Sequence, residues 1–210
     1  MARTKSLAAL LMGTALISLP AFSQEGPPEN KSEASAQFFG TFLKKTDQNG
    51  VRQRSSDSGG ILASYRYLFT NHQGVEVNYG YSRSTMSYDF GAGPLGTSAN
   101  QHEITGAYTL RLPMTRVTPF VQAGFGGLIF QPRNFVGANS QGRVAFLYGG
   151  GADFSVTKHI FVRAQYRGLV FNSPTFDIPA NLGADRNTHQ AEPSIGFGYR
   201  FDAVFSAASL

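Results

Sequence analysis

The chain has 210 residues, 18 Lys and Arg against 13 Asp and Glu, and no cysteine. That length suits one domain, the missing thiols exclude disulfides and thiolate metal centres, and the mild, scattered positive charge gives no basis for nucleic-acid binding. No segment beyond the N-terminal region approaches 18 continuous apolar residues, which excludes a helical membrane protein, while 24 Gly and a 13% aromatic share without helical periodicity point to an all-β fold.

Arg3 and Lys5 precede an apolar stretch from Leu7 to Leu19, and Ala21-Phe22-Ser23 supplies a small-x-small cleavage site, so residues 1–23 read as a signal peptide. The apolar stretch is too short for a convincing membrane-spanning helix. Without those two cations the balance is 16 Lys and Arg against 13 acids. Residues 24–35, polar and carrying the pair Pro27-Pro28, read as a flexible lead-in.

Eight strand segments follow: Ala36–Lys44, Gly60–Phe69, Gly74–Ser84, Gln101–Leu112, Val117–Phe130, Arg143–Ser155, Ile160–Phe171 and His189–Phe201. Alternation is clearest where Val75, Val77, Tyr79 and Tyr81 oppose Glu76, Asn78, Gly80 and Ser82. It is weakest in the first segment, where Phe38, Phe39, Phe42 and Leu43 fall on both faces. Connections alternate between short turns (Thr70–Gln73, Pro113–Arg116, Val156–His159) and long polar loops (Thr46–Gly59, Met86–Asn100, Gln131–Gly142, Asn172–Thr188). This is the asymmetry of an outer-membrane barrel with periplasmic turns and surface loops. An even strand count then puts both termini in the periplasm.

Alternation alone leaves a soluble lipocalin-like barrel possible, with the apolar face inside. An eight-stranded interior is only just wide enough for side chains. The apolar face carries Tyr65, Tyr67, Phe69, Tyr79, Tyr81, Tyr108, Phe125, Phe146, Tyr148, Phe154, Tyr166, Phe197, Tyr199 and Phe201, too many rings to enclose. The apolar face therefore meets lipid, and Gly, Ser, Thr, Gln and charges fill a polar lumen. Tyr67, Phe69, Phe154, Tyr199 and Phe201 are expected at the periplasmic rim, and Tyr81, Phe130 and Phe171 towards the outer rim, as interfacial girdles.

This choice places Arg66, Glu76, Glu103, Arg111, Asp153, Arg163, Arg167, Glu192 and Arg200 inside. Charges in so narrow a space must be paired, which predicts a salt-bridge network that closes the lumen. Arg66, Glu76, Asp153, Arg163 and Arg200 fall near one layer at the short-turn end, with Glu103, Arg167 and Glu192 higher. Glu76 to Arg66 is the first expected pair. The competing readings are a gated narrow path and a catalytic glutamate. The glycines Gly124, Gly126, Gly127, Gly149, Gly150 and Gly151 read as curvature relief beside bulky lumen neighbours, or as a smooth outer groove. Pro193, deep in its segment, predicts a bulge or a strand that pairs fully only beyond it.

His72 and His159 lie in short turns, and His102 and His189 at the outer starts of their strands. A Ser/His/acid site on the outer face, as in lipid A deacylases, needs a serine beside a histidine oriented by a carboxylate. Glu103, adjacent to His102, points to the opposite face. No metal-ligand spacing, P-loop or dinucleotide fingerprint is present. The expectation is no enzyme, no metal and no cofactor.

The segments G-G-I-L-A-S-Y-R-Y-L-F, G-V-E-V-N-Y-G-Y-S and V-T-P-F-V-Q-A-G-F-G resemble the OmpA/OmpX-like family of small outer-membrane β-barrel proteins, across 36–201. S-I-G-F-G-Y-R-F is similar to the recognition signal for the barrel-assembly machinery, carried by Ser194, Gly196, Tyr199 and Phe201, with residues 202–210 as a short tail beyond it. The resemblance implies an eight-stranded antiparallel up-and-down transmembrane β-barrel in the bacterial outer membrane. It further implies a monomer in contact with outer-membrane lipid and lipopolysaccharide, with a possible surface ligand at the loops and no peptidoglycan-binding domain. Envelope integrity, adhesion, surface resistance and narrow conductance are the functions of such proteins.

Overall fold

The computed structural model describes residues 30–43, 47–48, 51–55, 58–89, 94–132, 140–172 and 187–201. The expected signal peptide, most of the lead-in and the tail lie outside them. The strands are β1 (Ser32–Leu43), β2 (Asp47–Gln48), β3 (Val51–Ser55), β4 (Ser58–Leu68), β5 (Gln73–Asp89), β6 (Pro94–Arg111), β7 (Val117–Pro132), β8 (Gln141–Ser155), β9 (Ile160–Asn172) and β10 (Asn187–Phe201).

Eight of them, β1 and β4 to β10, close into an antiparallel up-and-down barrel. β1 pairs with both β4 and β10, and β5 with β6, so the ring has no free edge. β2 and β3 form a ribbon that continues the sheet along the far end of β5, from Arg52 opposite Asp89 to Ser55 opposite Met86. The three short turns are tight: Phe69 donates its N–H to Gln73 O at 2.9 Å, Met114 to Val117 O at 3.0 Å and Val156 to Ile160 O at 2.9 Å. They define one end of the barrel, and the long connections the other.

Where side chains are described, they alternate in and out along the ring strands. Ile61, Val77, Phe125, Val144 and Phe197 are exposed on the outside, and their sequence neighbours point within. In water such a surface would be untenable; against hydrocarbon it is the favourable choice.

Several expectations need correction. β1 begins at Ser32, so the last four residues of the expected lead-in are strand. Glu33 holds them there, opposite Arg66 on β4 and Arg200 on β10. Much of the expected loop Met86–Asn100 is ladder, paired from Arg83 opposite Asn100 to Asp89 opposite Pro94. A hairpin that has left the membrane no longer needs an apolar face, so its polar sequence hides it. Thr46–Gly59 likewise contains β2 and β3.

The lumen is not uniformly polar. Ala107, Leu128, Phe130, Ala145, Leu147, Leu169 and Phe171 form a buried apolar cluster inside the barrel, running from Ala107 opposite Glu76 to Phe130 and Phe171 near the long connections. Phe130 and Phe171, expected in the outer girdle, are 1% and 4% exposed, with ring centroids 5.9 Å apart.

Pro193 causes no bulge. β10 keeps one register with β9 throughout, and with β1 on both sides of the proline; only the pairs expected at Gly40 and Thr41 lapse. The missing N–H faces β1, and the ladder resumes at Phe42 opposite Ala191. The six glycines divide. Gly124, Gly126, Gly149 and Gly151 lie where a side chain would strike the next strand's backbone: a Cβ on Gly124 would be 1.9 Å from Gly106 O and one on Gly149 2.4 Å from Tyr166 O. Those four permit close approach of sharply coiled strands. Gly127 has open space around it.

Candidate functional site: the ionic interior

Alternation on six strands brings Glu33, Arg66, Glu76, Asp153, Arg163 and Arg200 together at the short-turn end, with Arg111 from a seventh. Arg66 approaches Glu76 Oε2 with both Nε (2.7 Å) and Nη2 (2.6 Å). Its Nη1 reaches across the barrel to Asp153 Oδ2 at 3.2 Å and to Glu33 Oε2 at 3.3 Å. Arg163 is its counterpart: Nε donates to Asp153 Oδ1 at 2.6 Å, Nη1 to Glu76 Oε2 at 3.0 Å and Nη2 to Glu33 Oε2 at 3.3 Å. Arg111 and Arg200 both meet Glu33 Oε1, at 3.1 and 3.0 Å. Arg66 and Arg163 are 0% exposed.

Two inward rings fill the remaining space. Phe120 lies under Arg66 and Arg163 at 4.4 and 5.1 Å from its centroid, and Phe161 under Arg200 and Arg163 at 4.6 and 5.1 Å. Such guanidinium stacking adds attraction where water is excluded. Phe161 is also laid across Gly198, where an added Cβ would come within 2.1 Å of the ring.

Above this layer stands a neutral one. Gln165 donates to Gln37 Oε1 at 3.0 Å, as does Ser194 Oγ at 3.0 Å, and Gln122 reaches Gln165 at 3.4 Å. Higher still, Arg167 Nη2 lies between two carboxylates, 2.8 Å from Glu103 Oε2 and in contact with Glu192 Oε2. Gln190 donates to Glu192 Oε1 at 2.7 Å and Thr105 to Glu103 Oε1 at 3.1 Å. Leu128, opposite Glu103, and Leu169, two residues beyond Arg167, bring the apolar cluster against this triad.

All nine charged residues read from the sequence therefore point inward and lie in the two groups described. Sequence reasoning missed the tenth, Glu33, which meets four arginines. A signal for it existed: the nine comprise five arginines and four acids, so one buried cation lacked a counter-charge.

Of the proposed assembly residues, Ser194 and Gly196 face inward and Tyr199 and Phe201 outward, their rings stacked at 6.3 Å. The histidines contact carbonyls or tyrosines: His72 Nδ1 lies 3.0 Å from Arg111 O, His159 Nδ1 3.2 Å from Arg200 O, His102 Nδ1 2.9 Å from Tyr79 Oη and His189 Nε2 2.7 Å from Tyr148 Oη. Among the described residues no group of three or more His, Cys, Asp and Glu could hold a metal ion.

Residues 7–201 match the outer membrane protein beta-barrel domain family. The chain belongs to that family. It is thus a barrel of the bacterial outer membrane. Its sequence is 26% identical over 130 residues to a 25 kDa outer-membrane immunogenic protein of Brucella canis, a match covering 61% of this chain and 57% of that one. The barrel is similar to the outer membrane protein OprG of Pseudomonas aeruginosa (TM-score 0.63, 17% identity, covering 85% of this chain and 99% of that one). It is also similar to Neisserial surface protein A (TM-score 0.57, 16% identity, covering 81% and 97%). At such identity the likeness is one of fold.

The outer face of this family member carries a test of local packing. The Tyr148 ring crosses Gly168 on β9 to reach His189 on β10, and a Cβ on Gly168 would be 2.6 Å from it. Gly168→Ala must push the ring aside and is expected to lower stability by about 1–3 kcal/mol. Gly106→Ala, whose Cβ meets nothing within 4 Å, is expected to stay close to neutral. Urea unfolding in phosphatidylcholine vesicles compares the two.

Proposed function

We propose that this barrel is a closed scaffold serving envelope integrity or surface interaction, presenting its long connections outside the cell and keeping both termini in the periplasm. The observation that carries this reading is the lower ionic layer, in which Arg66 and Arg163, fully buried, each reach carboxylates on three other strands. Opposite charges bound across a lumen this narrow close it, whereas a conducting pore keeps its charges hydrated.

Planar-bilayer recording is the test. The unmodified protein is expected to show no stable conductance; a large, steady one overturns the plug in favour of a narrow channel. Glu76→Gln leaves Arg66 and Arg163 short of a shared carboxylate and is expected to cost roughly 3 kcal/mol or more, with little gain in conductance. A gain without loss of stability would point to a gate instead.

On the same reading the protein is a monomer without catalytic activity, in contact with outer-membrane lipid, and Ser194, Gly196, Tyr199 and Phe201 form its signal to the assembly machinery. Unchanged lipid A after overexpression is expected; deacylated lipid A would reinstate an enzyme. Protease cleavage confined to the long connections in intact cells tests the orientation.

A further inference from the structure

Among the residues whose side chains are described, the ring strands send their charges inward with one exception. Glu33, Arg66, Glu76, Glu103, Arg111, Asp153, Arg163, Arg167, Glu192 and Arg200 are buried or nearly so, and Arg143 is half-buried in phase with inward Ala145 and Leu147. Arg83 alone is exposed on the outer face of β5, in phase with Val75, Val77, Tyr79 and Tyr81.

Its height is informative. Arg83 is ten residues above Gln73, the start of β5 at the short-turn end. Ten residues at about 3.3 Å each, on a strand tilted by about 40°, climb roughly 25 Å, the height of the apolar band of such barrels. A cation there leaves hydrocarbon and enters the headgroup region; deeper in the bilayer it would be strongly disfavoured.

Its neighbours change character at the same level. Arg83 is opposite Asn100 on β6, and Asn100 opposite Gln131 on β7, making an outward polar row across three strands. One step down, the row reads Tyr81, His102 and Ile129. The His102 ring is 5.1 Å from the Tyr81 ring, and its Nδ1 lies 2.9 Å from Tyr79 Oη. A ring platform thus underlies a row of side-chain donors. Glu33, Glu76, Glu103, Asp153 and Glu192, the ring-strand carboxylates whose side chains are described, all point into the lumen, so none of these answers the guanidinium. An anion from the surroundings would supply the counter-charge that these five carboxylates do not.

We propose that Arg83, Asn100 and Gln131, above the Tyr79–His102–Tyr81 cluster, form a binding site for a phosphate group of lipid A. Guanidinium offers phosphate paired, charge-assisted hydrogen bonds, and carboxamides on the adjoining strands add neutral donors. The aromatic platform occupies the level where amphipathic rings settle at an interface. The assignment to the outer leaflet rests on the orientation proposed above; the chemistry of the site does not.

The test uses the full barrel in phosphatidylcholine nanodiscs, where added lipid enters both leaflets and binding is read independently of orientation. Bisphosphorylated lipid A is expected to raise the unfolding temperature. Arg83→Gln is expected to keep the wild-type unfolding temperature in phosphatidylcholine alone but to bind lipid A about tenfold more weakly. Tyr148→Phe, on β8 and outside the three strands of the site, is expected to leave the lipid A response unchanged. Dephosphorylated lipid A is expected to give little response, and phosphatidylglycerol at matched charge a smaller one. An undiminished response in Arg83→Gln, or equal responses to lipid A and to its dephosphorylated form or phosphatidylglycerol, would overturn the site. Protease mapping in cells would, separately, overturn the orientation.

Discussion

Glu33→Gln is expected to lower stability by about 3–5 kcal/mol, the range for leaving a buried ionic partner uncompensated, read as a fall in the urea midpoint in lipid vesicles. Glu33 is 2% exposed and accepts from Arg66 and Arg163 at Oε2 and from Arg111 and Arg200 at Oε1. Glutamine keeps the shape and the acceptor oxygen, so the loss reports charge. It leaves four guanidinium groups with only Glu76 and Asp153 as carboxylates in that layer. Arg200→Gln should cost less, because that side chain, 12% exposed at the barrel's end, has the easiest access to solvent. The double variant should lose less than the sum of the singles, since a neutral carboxamide in place of the Glu33 carboxylate no longer needs that arginine. A loss below about 1 kcal/mol for Glu33→Gln would mean that water reaches this layer and that the plug is leaky.

The sequence made the barrel legible because lipid and lumen demand opposite things of alternate residues. Val75 to Ser82 states that demand without ambiguity, and the parity it sets carries Glu76 to the same side as Arg66, Asp153 and Arg163. Parity also held the correct answer for Phe130 and Phe171. Phe130 is in phase with inward Gln122 and Leu128, and Phe171 with Arg167 and Leu169. Reading them as girdle residues let chemical type override phase. The apolar cluster escaped for a related reason: hydrophobicity records exclusion from water, and a packed lumen excludes water as hydrocarbon does. Leu147 and Leu169 are therefore indistinguishable by type from the lipid-facing Val144 and Val170. Glu33 was hidden differently. It sits in a polar run following Pro27-Pro28, where local composition reads as loop, and only long-range pairing with β4 and β10 makes it strand. The hairpin through β5 and β6 beyond Arg83 was hidden because strands outside the bilayer lose the alternation that reveals them inside it.

The upper triad separates the role of charge from the role of shape. Arg167→Met is expected to cost about 3–5 kcal/mol, because Glu103 and Glu192, both buried, would face each other across the site their shared cation vacates. Methionine fills much of the arginine volume beside the apolar cluster of Leu128, Leu147 and Leu169, so packing loss is the smaller part. Adding Glu103→Gln and Glu192→Gln removes the repulsion and leaves a neutral site beside the apolar cluster. That triple variant should recover most of the lost stability, in keeping with the general finding that replacing a whole buried ionic group is far milder than breaking one. Urea unfolding orders the three proteins, with wild type and triple variant close together and Arg167→Met well below. Bilayer recording then locates the barrier. With the lower layer intact, the triple variant should remain closed, because Arg66 and Arg163 still bridge the lumen beneath it. A steady conductance in that variant would move the seal from the lower layer to the triad. A triple variant as unstable as Arg167→Met would show that the geometry of the bridge, rather than its charge balance, supports the upper barrel.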